Sequence, residues 1–382
     1  MSAVNLPDGR FRFSGAGREF TVPGAAFRCR TAYAAAHVVA DPTAENAPGA
    51  PAALDWDTTL AFRHHLWRHG FGVAEAMDTA QRGMGLDYPT TRELIRRSAR
   101  EARAVGGEIV AGVATDQLPA GPASLEEVRH AYAEQLGDVQ EAGARPVLMC
   151  SRHLAAAARS ADDYLAVYGE LLRRADGPVV LHWLGPMFDP ALVGYWGSSD
   201  LDVATDTVLA LIGEHADKVD GIKVSLLDEA FEVALRRRLP AGVRLYTGDD
   251  FNYPTLIRGD EVGHSEALLG IFAAIAPAAA AALRALDAGD AASYDRILAP
   301  TVPLSRHIFG TPTYYYKTGI VFLAWLAGHQ DHFTMVGGLH GGRSPRHLIT
   351  LFRLADAAGL LPDAELAAHR ARAWLTTVGV AQ

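Results

Sequence analysis

Val219-Asp-Gly-Ile-Lys-Val-Ser225 is a short apolar, β-branched run with a lysine at its centre. It is too short for a typical helix and has the composition of a strand. Similar runs occur on both sides of it, at 31–40, 73–79, 108–115, 145–150 and 178–185 before it and at 243–249 and 267–276 after it. That makes eight candidate strands, the early ones about 35 to 40 residues apart and the last three closer. Helical patterns fill the longer gaps. Thr90-x-x-Glu93 and Ser124-x-x-Glu127 have capping-box spacing, each before a stripe of apolar residues, and Gly143 is placed to stop the second helix. Ser160-x-x-Asp163 precedes Tyr164, Val167 and Leu171, and Phe231, Ala234, Leu235 and Leu239 suggest another short helix.

Strands alternating with helices imply a parallel sheet covered by helices. Eight such units predict a closed (β/α)8 TIM barrel. An open doubly wound sheet is the rival, but it usually has fewer strands and a Gly-rich first turn, and no G-x-G-x-x-G occurs. The predicted organisation has three parts. Residues 1–30 form a hairpin extension, with Phe11 and Phe13 in one arm, a turn at 14–17, and Phe20 and Val22 in the other. Residues 31–290 form the barrel and 291–382 a helical extension, with helices expected at 277–286, 291–298, 314–327 and 345–358.

Composition narrows the function. The chain has 382 residues, 49% of them hydrophobic and 21% charged, and a net charge of −9. That balance fits a soluble globular protein handling small molecules and argues against a nucleic-acid binder, which needs a basic face. Two cysteines, Cys29 and Cys150, make no disulfide framework. The first residues lack a signal pattern, and the longest apolar stretches are too short or too weakly apolar to span a bilayer. A cytoplasmic location with no membrane partner is the expectation.

In such barrels the reactive groups sit at the C-terminal ends of strands. Those ends carry Asp78, Thr79, Thr115, Asp116, Cys150, His182, Lys223, Ser225, Asp249 and Asp250, with Gly248 beside the last two. Lys223 is exceptional because apolar strands rarely tolerate a lysine. Low dielectric favours its neutral amine, which can attack a ketone or aldehyde and form an imine. Position alone is equally consistent with a lysine paired to a carboxylate such as Asp249. Asp249 and Asp250 are candidates for substrate hydroxyls, with capping the commoner fate of at least one. His182 is a candidate proton carrier, or a buried histidine with satisfied hydrogen bonds. The groups His64, His65, His69 and His329-x-x-His332 have suggestive metal spacing, as do Asp78, Asp116 and His182 together, but no established metal motif occurs. No cofactor is expected. Gly337-Gly-Leu-His-Gly-Gly342 with Arg343 lacks the strand and helix context of a phosphate loop and reads as a connection.

Asp220-Gly-Ile-Lys-Val-Ser225 followed by Thr247-Gly-Asp-Asp250 resembles the dihydrodipicolinate synthase and N-acetylneuraminate lyase superfamily. Its G-I-K lysine forms an imine with a keto substrate, and a G-D-D segment follows downstream. Ile109-Val-Ala-Gly-Val113, Tyr316-Lys-Thr-Gly319 and Arg343-Ser-Pro345 are also similar to that family, and the likeness spans roughly 31–361. Two departures mark a divergent branch. The family's G-T-T-G-E-like carboxylate grip is replaced by Met77-Asp-Thr-Ala-Gln-Arg-Gly-Met-Gly85, where only Thr79 corresponds. Its strand-five tyrosine, a proton relay, is replaced by His182.

The resemblance implies a class I aldolase-like lyase or dehydratase acting on a small carbonyl compound, a 2-oxo acid or keto-sugar derivative. Lys223 forms the imine, His182 moves the proton, and Asp78, Thr79, Thr115, Ser225, Gly248, Asp249 and Asp250 surround the substrate. A homodimer or homotetramer is expected. The alternatives are a metal-dependent sugar isomerase or hydrolase on the same barrel, and a non-catalytic ligand-binding barrel.

Overall fold

The computed structural model describes residues 2–15, 20 and 26–382. Ten strands are assigned among them. Strands β1 (Ala3–Leu6) and β2 (Gly9–Arg12) form an antiparallel hairpin with Val4 opposite Phe11. The hairpin thus lies one arm earlier than the sequence suggested, and most of the expected second arm falls outside the described residues. Phe11 and Phe13 pack on Phe352 of the C-terminal helices, with ring centroids 5.6 and 5.5 Å away.

Strands β3 (Ala32–Ala35), β4 (Gly72–Glu75), β5 (Ile109–Val113), β6 (Arg145–Leu148), β7 (Val179–Leu184), β8 (Val219–Ser225), β9 (Arg244–Thr247) and β10 (Glu266–Leu269) close into a parallel barrel, β10 pairing with both β9 and β3. The expected (β/α)8 architecture is therefore the one found. Side chains alternate between lumen and helix layer. Ile222 and Val224 join the large outer core, as do Leu181 and Leu245, while Val180, Val147, Val110 and Tyr246 fill the lumen. Tyr33 and Tyr246 close the N-terminal end, their hydroxyls donating to Glu108 at 3.0 Å and Asp220 at 2.5 Å. Gly221 permits this, because a Cβ there would meet the Tyr246 ring at 2.8 Å. With the bottom plugged, the lumen opens only towards the C-terminal strand ends.

Several element ends differ from expectation for identifiable reasons. Helix Tyr88–Val105 is capped by Asp87, whose carboxylate accepts from Thr90 N at 2.9 Å, so Thr90 lies inside the first turn and caps nothing. The Ser124–Glu127 capping box is present in both arms, and Gly143 ends that helix at φ 79°. Ser160 occupies an N-cap position without a side-chain bond. The predicted strand 267–276 is strand only to Leu269. From Ile271 the chain is helical to Asp287, bending at Ile275 (φ −120°) just before Pro277. Proline kinks this helix and does not start it, because Asp250 holds the N–H of Ile271 from outside the segment, at 2.8 Å. Beyond it come helices Ala291–Leu298, Thr301–Ile308, Tyr316–Leu326, Pro345–Ala357 and Ala364–Thr377, two of which, Thr301–Ile308 and Ala364–Thr377, the sequence pattern did not single out. No helix among the described residues is long and apolar enough to cross a membrane.

Candidate active site

Lys223 has the lumen-facing parity of Gly221 and Ser225 on β8, and it is 7% exposed. Burial lowers the proton affinity of its amine, while the charges of Asp78 and Asp250 partly oppose that shift. Among the described residues no carboxylate lies within salt-bridge distance of Nζ, and Asp249 is not its partner. On β7 the register places His182 directly beside Lys223. His182 is fully buried. Its Nε2 meets Ser225 Oγ at 3.2 Å, and Nδ1 has no partner among the described residues. Burial, and then the neighbouring lysine, hold its pKa well below the ordinary value, so the ring is a neutral hydrogen-bonding group.

Gly248 leaves the room that Lys223 and Ser225 occupy. A Cβ at Gly248 would lie 2.1 Å from Ser225 Oγ, 2.8 Å from Lys223 Cε and 2.9 Å from Val224 O. The two aspartates that follow have separate tasks. Asp249 accepts from Phe251 N (2.8 Å), Asn252 N (3.0 Å) and Asn252 Nδ2 (2.9 Å), which organises the turn into helix Tyr253–Arg258. Asp250 accepts from Ile271 N, and its carboxyl, sharing its surroundings with Lys223, is pushed well above the carboxylate range by burial. Burial thus disfavours the charged form of both groups, the ammonium of Lys223 and the carboxylate of Asp250.

At the C-terminal ends of β5, β6 and β7 lies a cavity of about 580 Å³, walled by Asp78, Thr115, Ser151, Arg152, Phe188 and Lys317 among others, while Lys223 and His182 lie outside its wall. Thr115 Oγ1 bonds Ser151 Oγ at 2.5 Å and His153 Nδ1 at 2.9 Å. Asp116 is held by Arg82 (2.6 and 2.9 Å) and Gln135 (2.9 Å). Cys150 lines the wall as an inert thiol, its pKa pushed up to about 12 by burial. Thr79 shares a 2.8 Å hydrogen bond with the Tyr316 hydroxyl. Burial holds that phenol protonated, and it feels the charges of Asp78 and Asp250.

The structure thus gathers Lys223, His182, Ser225, Gly248 and Asp250 at the barrel mouth, with Asp78, Thr79 and Thr115 above. It also adds two residues that the strand ends could not supply. Tyr316 and Lys317 come from the C-terminal helix Tyr316–Leu326, and both are buried. The available signal was a lysine at the head of an otherwise apolar helical run.

His65, His69 and His329, singled out for their spacing, form a cluster of their own. His65 packs 4.4 Å from His69 and 4.3 Å from His329, ring centroid to centroid, and His37 Nε2 bonds Gln330 Oε1 at 3.0 Å. Burial lowers the pKa values of His65, His37 and His329 to about 2, 3 and 4, as expected for packed neutral rings. Among the described residues, no group of three or more His, Cys, Asp or Glu side chains is arranged to hold a metal ion. Asp78, Asp116 and His182 are not a ligand set: Asp116 is committed to Arg82, and His182 faces Ser225.

The closed parallel barrel with its added helices is a fold shared with solved dihydrodipicolinate synthases. The structure of the enzyme from Aquifex aeolicus superposes with a TM-score of 0.66 at 13% identity, covering 87% of this chain and 98% of that one. For the enzyme from Oceanobacillus iheyensis the values are 0.65, 15%, 86% and 96%. For that from Thermotoga maritima they are 0.65, 12%, 87% and 100%. At such identities the likeness is one of fold. Residues 11–380 match the family described as "Protein of unknown function (DUF993)", and the chain belongs to it. No protein with a curated description matches in sequence.

Proposed function

We propose that Lys223 forms an imine with a small carbonyl substrate, and that the chain is a lyase or dehydratase of the class I aldolase kind. One observation carries this reading: a buried lumen lysine that, among the described residues, has no carboxylate within salt-bridge distance, and that feels the charge of Asp78, a residue of the cavity wall. A lysine kept only for structure would be expected to sit against a carboxylate.

The neutral amine attacks the carbonyl carbon, and its lone pair forms the C–N bond. The resulting carbinolamine loses water, taking a proton to do so, and leaves a protonated imine. Asp250, held protonated by burial, faces the amine and supplies that proton. The iminium then accepts the electron pair of a bond broken at the adjacent carbon, either C–C or, for loss of water, C–H followed by C–O. Water hydrolyses the product imine and restores the amine. His182 fixes the Ser225 hydroxyl beside Lys223 and presents a neutral ring to the forming cation. Thr79 and Tyr316, whose hydroxyls bond each other next in sequence to the cavity residues Asp78 and Lys317, are a hydroxyl pair for substrate oxygens. The substrate class is a 2-oxo acid or a keto-sugar derivative.

Borohydride reduction in the presence of 2-oxo acids, hydroxyketones and keto-sugars tests the assignment. Intact mass should gain the reduced adduct of at least one compound, and peptide mapping should place it on Lys223. The Lys223→Met protein should gain none. A full panel without an adduct on Lys223 refutes the proposal.

A further inference from the structure

Lys317 is a second buried lysine, 2% exposed, on the wall of the same cavity. An ammonium offers three donors. Among the described residues the one hydrogen-bond acceptor it meets is Met84 Sδ at 3.2 Å, a thioether and a weak one. The Tyr316 ring lies 5.2 Å from Nζ and supplies only a π face. Among the described residues no carboxylate reaches salt-bridge distance, although Asp78 and Asp189 attract the charge and Arg152 opposes it. The other cavity guanidiniums are engaged, Arg82 by Asp116 and Arg152 by Asp189 at 2.5 Å. Burying a cation without an oxygen partner is costly, and a cavity wall is where a ligand anion can complete it. The charge of Asp78, on the same cavity wall, favours the charged form of both Lys223 and Lys317.

We infer that Lys317 binds an anionic group of the substrate, a carboxylate or a phosphate, and so selects acid-bearing carbonyl compounds. Resting on Lys223 as the imine former, this places the carbonyl at the barrel mouth and the acid at the helical cover. Asp78, on the same cavity wall, faces substrate hydroxyls and disfavours a second acid at that point. The anion grip therefore comes from the cover, and not from the loop after β4.

Unreactive anions separate this inference from the imine chemistry. Acetate, succinate and inorganic phosphate are titrated calorimetrically into the full chain at pH 7, with glycerol as the neutral control. At least one anion should bind the unmodified protein, and the arms distinguish carboxylate from phosphate. Lys317→Met should weaken that anion roughly tenfold or more, whereas Lys223→Met should still bind it. Binding to Lys223→Met stands even if no imine is ever trapped. In trapping experiments the preference for a 2-oxo acid over a neutral ketone should fall by a similar factor in Lys317→Met.

Should Lys317→Met fail to give a folded melting curve, the unmodified protein provides the readout. Burial lowers the Lys317 pKa to about 8, so anion affinity should be full below that pH and drop about tenfold per unit above it. Asp78, Asp116, Asp189, Arg82, Arg152 and His153 face the same space. Asp250, raised to about 8 by burial, gains negative charge over the same range, so the drop that belongs to Lys317 is the part that persists in Asp250→Asn. The inference is overturned if no anion binds the unmodified protein, if Lys317→Met binds as tightly, or if the reduced adduct maps to Lys317.

Discussion

Gly248→Ala adds one carbon beside the reactive lysine. The new Cβ would stand 2.8 Å from Lys223 Cε, where ordinary contact begins at 3.4 Å, so the stem must retreat by about 0.6 Å. Ser225 Oγ, at 2.1 Å, must swing away altogether and give up its bond to His182. The third contact, Val224 O at 2.9 Å, is backbone and cannot rotate aside. Overpacking of this kind costs about 1–3 kcal/mol. For a chain of 382 residues that is roughly 1–4 °C of melting temperature. The effect on chemistry should be larger, since a displacement approaching 1 Å at a reacting atom costs on the order of 100-fold in rate. The assay is the rate of borohydride-trapped adduct formation beside a thermal melt. Adding Ser225→Ala relieves the tightest contact, so the double variant should recover melting temperature but not trapping rate. If Gly248→Ala melts with the unmodified protein and traps as fast, Gly248 does not position the lysine and the site geometry described above is wrong.

Two further outcomes follow from buried charge. Glu232 is pushed up to about 8 by burial, although its carboxyl accepts from Thr247 Oγ1 at 2.9 Å and Ser265 Oγ at 2.7 Å. Its folded pKa lies above its unfolded value, so its stabilisation is full below about 4.5 and lost as pH rises through about 8. Glu232→Gln should therefore flatten the loss of stability across that window and gain on the unmodified protein at pH 9, read from urea midpoints at pH 5 and 9. A steeper loss in the variant would contradict the sign. Arg63 and Glu75 form a fully buried ion pair at 2.7 and 2.8 Å. Arg63→Met strands the carboxylate and should cost about 3–5 kcal/mol, while Arg63→Met with Glu75→Leu should recover most of it. Equal midpoints for the single and double variants would show that the pair does not act as a unit.

The barrel was legible because each strand is a short apolar run with its own turn, and local composition decides such elements. The eighth strand was read too long, since nothing in 267–276 reveals that Asp250 holds Ile271 N and starts a helix there. Asp87 was passed over as a cap for the same kind of reason: Thr90 has equally good local chemistry, and only geometry ranks them. In the site, Lys223 was visible because a lysine is out of place in an apolar strand. Tyr316 was not. Its bond to Thr79 joins residues 237 positions apart, and every residue of its helix is buried, so no amphipathic stripe indicates which way a side chain points. Lys317 left a trace, a lysine at the head of an apolar helical run, but nothing local shows that it reaches the cavity. His182 was read as a strand-end proton carrier; its register beside Lys223, and the burial that disfavours its charged form, were not visible in sequence.

The helix Tyr316–Leu326 gives the molecule a division of labour. The barrel carries Lys223, the proposed nucleophile, on β8, whereas the cover brings Tyr316 and Lys317 from a separate stretch of chain. Exchanging that stretch between relatives would then be a way to graft new selectivity onto unaltered chemistry, and drift in the tail would diversify substrates while the lysine stayed where it is.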